Sequence, residues 1–179
     1  MSGSAAARLA VFAAASAGLI ALSWKSLREP RGYGLYRLAA FEAAIALPAL
    51  NAPWWLDRPL AIRQIAAWLL LAGSIFLAIH GYWLLRREGK PEGRFENTSV
   101  LVERGAYRFI RHPMYCSLLL LGGGALLKHL SWAAAAVFIV LAAAVYATGR
   151  TEERKNLERF GDVYAGYMRR TKMFIPYVF

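Results

Sequence analysis

Cysteine is almost absent from this chain. Cys116 stands alone, so no intrachain disulfide can form and cysteine does not mark a redox compartment. The three histidines, His80, His112 and His129, lie too far apart for metal-ligand spacing, and no metal is expected. Acidic residues are scarce: 11 Asp and Glu against 22 Lys and Arg, a net charge of +11. Such a balance can mark nucleic-acid binding. Here the basic residues fall between apolar stretches, so membrane topology and anionic lipid account for them without nucleic acid. Internal repeats and low-complexity linkers are also missing. What remains is apolar: 58% of the 179 residues are hydrophobic, with a mean hydropathy of +0.35. Ordinary soluble domains of this size are less apolar, so the expected class is an all-α integral membrane protein, read as a single membrane domain over 1–179.

About five transmembrane helices are expected. Residues 5–24 are apolar apart from Arg8. A signal peptide and an uncleaved helix both fit this run. The denser charge after it (Lys25, Arg28, Arg31) and the lack of a small-x-small site favour the helix. Residues 32–51 form a weaker span carrying Arg37, Glu42 and Pro48. Glu42 is costly in lipid and should face protein or water. Pro53-Trp54-Trp55 makes an interfacial turn. Residues 62–85 are the clearest span, ending at Tyr82-Trp83 and Arg86-Arg87, with His80 close to that end. Three N-terminal spans thus occupy 1–85.

Residues 86–112 make a loop with seven basic residues. Its second half is too apolar for disorder and reads as an ordered lid or binding loop. Residues 113–148 read as a helix hairpin with arms 113–127 and 131–148. The turn lies near Lys128-His129-Leu130, with Ser131 as N-cap. Gly122-Gly123-Gly124 should allow close approach, with the Ala133–Ala136 and Ala142–Ala144 runs as the matching surface. The tail, 149–179, carries a charged amphipathic helix over 150–170. Leu157, Phe160, Tyr164 and Tyr167 share its apolar face, which suits a helix lying on the cytoplasmic membrane surface.

Charge orients these spans. Segments 25–37, 86–111 and 150–172 hold 18 of the 22 basic residues. The alternate sides hold only Arg8, Arg58, Arg63 and Lys128. That asymmetry puts the N-terminus outside, and the loop and tail in the cytoplasm. A hairpin would also bring the start of the fourth span to the same side as Glu152 and Glu153.

The chain is organised around Ser99–Tyr115, where a basic loop opens into an apolar helix. Pro113 cannot continue a helix from upstream and suits the first helical position, with His112 as the cap. The N–H groups of Met114, Tyr115 and Cys116 are then expected to be unpaired and, with Arg108 and Arg111 beside them, to attract a carboxylate or phosphate. Tyr107, Tyr115 and a glutamate of the acidic pair would suit a zwitterionic ligand bearing a nucleoside. From residue types alone, a purely structural hairpin end fits as well.

The motifs add to this. Gly105-Ala-Tyr107, Arg111-His112-Pro113-Met114-Tyr115, Glu152-Glu153 and Phe160-Gly161-Asp-Val-Tyr164-Ala-Gly-Tyr167 resemble the isoprenylcysteine carboxyl methyltransferase family. That family sits within the wider group of membrane methyltransferases that includes phospholipid methyltransferases. The resemblance covers about residues 99–177. It implies an integral membrane enzyme that uses S-adenosylmethionine and releases S-adenosylhomocysteine. Carried over by motif, the cofactor is expected at Ser99, Val100, Leu101, Val102, Tyr107, His112, Pro113, Met114, Tyr115 and Glu153. An arginine just before the acidic pair serves the acceptor, and Arg150 is the nearest, expected as the catalytic acceptor-side residue. The implied acceptor is a lipid-like or prenylated small molecule.

The residues themselves favour a carboxylate acceptor. A carboxylate is already ionised at pH 7, with a reference pKa of about 4, and needs no general base. No base is evident here, whereas an amine acceptor would need one. Other readings remain: a methyltransferase acting on a phospholipid amine or thiol, a membrane NADPH-dependent reductase, or a non-catalytic lipid-binding membrane protein. The roles of Glu42, His80 and Glu152 are not assigned by sequence.

Overall fold

The computed structural model describes residues 2–28, 34–90 and 98–178. The first two residues of the expected second span and the middle of the expected loop, 91–97, lie outside them. Six α-helices are present among the described residues: α1 (Ser2–Leu27), α2 (Gly34–Asn51), α3 (Ile62–Glu88), α4 (Pro113–Lys128), α5 (Trp132–Phe160) and α6 (Asp162–Arg170). No strand forms among them; one isolated parallel bridge joins Ile110 to Lys172.

Among the described residues, three stretches are long and apolar enough to cross a membrane: Ala5–Leu27, Ile62–Glu88 and Trp132–Phe160. α4 is apolar but has only 16 residues, or about 24 Å against a hydrocarbon core of about 30 Å. α2 has 18 residues, with Pro48 inside it.

The chain divides into two compact units. The first comprises Met1–Leu71 and Leu118–Thr148. Its core is alanine-rich, with leucine and valine between: Ala40, Ala43, Ala44 and Leu47 of α2, Ala67 and Leu71 of α3, Ala125 of α4, and Ala134, Leu141 and Val145 of α5. The glycine triplet works differently from the sequence expectation. A Cβ on Gly122 would collide with Leu141 Cδ2 and lie 3.2 Å from Phe138 Cδ2, and one on Gly124 would meet Leu71 Cγ at 2.8 Å. The surfaces received by the glycines are therefore leucine and phenylalanine side chains, not the alanine runs. Large side chains reach the backbone where the Cβ is missing, which an alanine could not do.

Polar side chains in this unit satisfy a helix end. The last carbonyls of a helix have no intrahelical donor. Asn51 Nδ2 donates to the carbonyls of Ala125 (2.8 Å) and His129 (3.1 Å), and Gln64 Nε2 donates to that of Lys128 (3.0 Å). Lys128 Nζ lies 3.3 Å over the Trp68 ring. Ser131 caps α5, its Oγ accepting from Ala134 N–H at 3.2 Å. Ser16 donates a hydrogen bond to Glu42, the acid expected to need a protein partner.

The second unit comprises Ala72–Ser117 and Gly149–Phe179. Here α5 departs from expectation. It runs unbroken to Phe160, so 150–170 is not one helix but the end of α5 followed by α6. Residues 150–160 are good helix formers without proline, so nothing stops α5 after its apolar part. Gly161, at φ +54, breaks the run. The break divides the expected apolar face: Tyr164 and Tyr167 are buried in the protein, whereas Leu157 is exposed. α6 therefore turns its tyrosines inward and is not laid by them on a membrane surface. α5 would extend about 43 Å at 29 residues, and its part after Thr148 is charged.

Candidate active site

All the expected site residues fall in the second unit. The described part of the loop is ordered by its own hydrogen bonds. Ser99 Oγ donates to the Lys90 carbonyl at 2.8 Å, and Val100 N–H to that of Gly89 at 3.1 Å. Ser99 and Val100 are exposed and Leu101 half-buried, while Val102 is buried with Leu84 and Tyr107. A 3-10 turn over Gly105–Arg108 follows. Gly105 has φ +54, and a Cβ there would lie 2.5 Å from His80 Nε2. His80 thus packs under the loop turn. Tyr107 is inside, and its carbonyl accepts from Tyr167 Oη–H at 2.6 Å. Val102 and Tyr107 therefore pack as core, an unexpected role for two residues expected to touch a ligand.

Residues 109–112 are held by backbone pairing with the C-terminal segment. Lys172 N–H donates to Phe109 O (3.2 Å), Arg111 N–H to Lys172 O (2.8 Å) and His112 N–H to Met173 O (3.2 Å). α4 starts immediately after, at Pro113. Cys116 N–H bonds to the His112 carbonyl at 2.9 Å. The sequence expectation of three unpaired N–H groups is corrected by one position: a helix beginning at Pro113 closes its first turn there.

The His112 ring is buried, 5.5 Å from the Tyr115 ring and 6.0 Å from that of Phe174. Two carboxylates face it. Nε2 lies 3.6 Å from Glu153 Oε1, and Nδ1 3.8 Å from Glu152 Oε2. Glu153 is buried, and its Oε1 accepts from Arg111 Nε at 2.5 Å. Burial pushes the Glu153 carboxyl up, but His112 and Arg111 outweigh it and hold the group below its ordinary value. Arg111 is not a free cation beside the helix start, as the sequence suggested; it is committed to this carboxylate. Arg108 is exposed. Arg150 has a 60% exposed side chain, with Nη1 3.9 Å from Glu153 Oε2. Pro113 is buried, and Met114 and Tyr115 are half-buried.

The structure therefore joins His112, Tyr115, Glu152, Glu153 and Arg150 in one cluster. The described bonds of Ser99 and Val100 instead go to the end of α3 and Lys90. Sequence reasoning missed the C-terminal contribution. Met173 and Phe174 are buried, and a Cβ on Gly149 would meet Met173 Cε at 2.8 Å and His112 Cδ2 at 3.5 Å. The apolar Met173-Phe174 pair after a charged helix was the available signal.

His112 Nε2 and Glu153 Oε2 are buried in the cluster without a hydrogen-bond partner. Buried polar groups are rarely left unpaired, because the lost hydration is not recovered. An open acceptor on a buried carboxylate suits a ligand that brings a donor, such as an ammonium or a sugar hydroxyl. Among the described residues, no group of His, Cys, Asp and Glu is arranged to hold a metal ion.

The family model described as phospholipid methyltransferase matches residues 62–162. This is more than half of the chain, and the protein belongs to the phospholipid methyltransferase family. No curated protein matches it. The matched region contains every expected site residue, from Ser99 to Glu153. It ends before Met168–Phe174, which the structure adds to the cluster. With its long apolar helices, the chain is an integral membrane protein of a methyltransferase family.

Proposed function

We propose that this protein is an S-adenosylmethionine-dependent methyltransferase whose acceptor is the carboxylate of a lipid-like or isoprenylcysteine-type molecule. The observation that carries the reading is the buried, unpaired Glu153 Oε2 beside the start of α4. S-adenosylmethionine supplies an electrophilic methyl group on a sulfonium centre. Glu153 would take its ammonium or ribose hydroxyls, and His112 to Tyr115 would line the binding site. Ser99 to Val102 and Tyr107 would complete it on the loop side. Arg150, exposed beside Glu153, is the cation available to an incoming carboxylate, which marks it as the acceptor-side residue. Burial around His112 excludes water, which favours a displacement that neutralises two charges. No proton has to be moved for an ionised carboxylate.

A second acceptor chemistry has an observation in its favour. A phospholipid amine would need a base, and His112 Nε2 is buried and unpaired. Native membranes supplied with labelled methyl donor separate the two. A methyl ester releases labelled methanol in alkali, whereas a methylamine keeps its label. In detergent, S-adenosylhomocysteine should raise the melting temperature of the purified protein and NADPH should not. Stabilisation by NADPH alone would replace the proposal with a reductase. Stabilisation by neither would favour a non-catalytic lipid-binding protein. On charge, the active site and C-terminus are cytoplasmic and the N-terminus is outside, with membrane lipids as the surroundings.

A further inference from the structure

Arg111 belongs to none of the roles proposed above, yet its side chain makes three hydrogen bonds. Nε donates to Glu153 Oε1 at 2.5 Å. Nη1 donates to the carbonyls of Thr171 at 2.5 Å and Met168 at 3.3 Å. The Arg111 side chain is 10% exposed and that of Glu153 3%. The backbone around Arg111 is fixed as well, through the pairing of 109–112 with 172–173. A planar guanidinium can bond a carboxylate with one edge and carbonyls with another, which the ammonium of lysine cannot do in a fixed geometry.

We propose that Arg111 is a positioning residue for the ligand site. It clamps Glu153 by Oε1, so that Oε2 is the oxygen presented to the ligand, and it locks that orientation to the carbonyls of Met168 and Thr171. The C-terminal segment, outside the family match, is thereby part of the site. This inference rests on the reading of Glu153 as the group that binds S-adenosylhomocysteine. Its physical content is that a carboxylate with one clamped oxygen cannot rotate. Oε2 lies 3.9 Å from Arg150 Nη1, beyond hydrogen-bond reach, and has no other claimant.

A double-mutant cycle tests it, with S-adenosylhomocysteine affinity measured by calorimetry on purified protein in detergent. Arg111→Gln and Glu153→Gln should each weaken binding about tenfold or more, the scale of one charge-assisted hydrogen bond. If Arg111 acts through Glu153, the double variant should bind about as well as the weaker single variant. A general structural role predicts instead that the two losses multiply. Arg111→Lys serves if Arg111→Gln does not stay folded, with melting temperature as the check. It keeps the charge but not the fork, so its several-fold loss should vanish in the Glu153→Gln background. Multiplying losses, or wild-type affinity in a folded Arg111 variant, would overturn the inference alone. Absence of binding to the wild-type protein would overturn the cofactor reading and this inference with it.

Discussion

His112 is held on every side. Its N–H bonds to the Met173 carbonyl, its own carbonyl accepts from Cys116, and its ring packs with Tyr115 and Phe174. His112→Ala should therefore do two things at once. It should lower S-adenosylhomocysteine affinity by about tenfold, as loss of a charged or polar contact does. It should also lower the melting temperature, since emptying a buried ring site typically costs about 2 kcal/mol or more. Calorimetry and thermal melting of the same sample separate the two effects. Glu153 adds a pH dependence. Its folded-state value is depressed, so its contribution to stability is complete above the unfolded-state value of about 4.3. It is lost as pH falls through the lower folded-state value. The melting-temperature gap between wild type and Glu153→Gln should be level from neutral to mildly acidic pH and close only below about pH 4. A gap that closes near neutrality would contradict the depressed carboxyl.

At the scale of elements, the start of α4 is defined twice. Pro113 forbids backward extension of the helix. The backbone pairing of 109–112 with 172–173 forbids it independently, through three hydrogen bonds. From sequence alone, Pro113→Ala would be expected to let the helix grow back through Ile110-Arg111 and cover the ligand's N–H groups. The C-terminal pairing removes that freedom. Pro113→Ala should therefore leave S-adenosylhomocysteine affinity within about threefold, less than a typical hydrogen bond. A tenfold loss in a folded variant would mean that the proline alone holds the segment. The same contrast explains the tail. Periodicity placed Leu157, Phe160, Tyr164 and Tyr167 on one face, but one glycine with positive φ turned α6 so that its tyrosines serve the protein.

At the scale of the whole molecule, the basic residues gather in three segments of the chain. Segments 25–37, 86–111 and 150–172 carry 18 of 22, which predicts that the loop and tail share the cytoplasmic side. In a Cys116→Ser background, cysteines placed at the exposed positions Arg104 and Arg169 should resist membrane-impermeant thiol reagents in intact cells. Both should react once the membrane is opened. Labelling of either from outside intact cells would defeat the five-span topology.

The sequence by itself determined the helical membrane class, the start of α3 at Ile62, the Ser131 cap and the start of α4 at Pro113. These follow from composition, periodicity and capping, which act over a few residues. The motif also marked the cluster of His112, Tyr115 and Glu153. Only the tertiary structure decided which cations and which backbone complete it. Arg111 reads from sequence as a free cation beside the helix start, there to attract an anion. It becomes the clamp on Glu153 because residues 168–173, about sixty positions away, return to pair with it. The glycines show the same division. Their smallness is visible in the sequence, but Leu141, Leu71 and Met173 as the side chains filling the space are not. Those choices depend on contacts between distant parts of the chain, and local pattern carries no information about them.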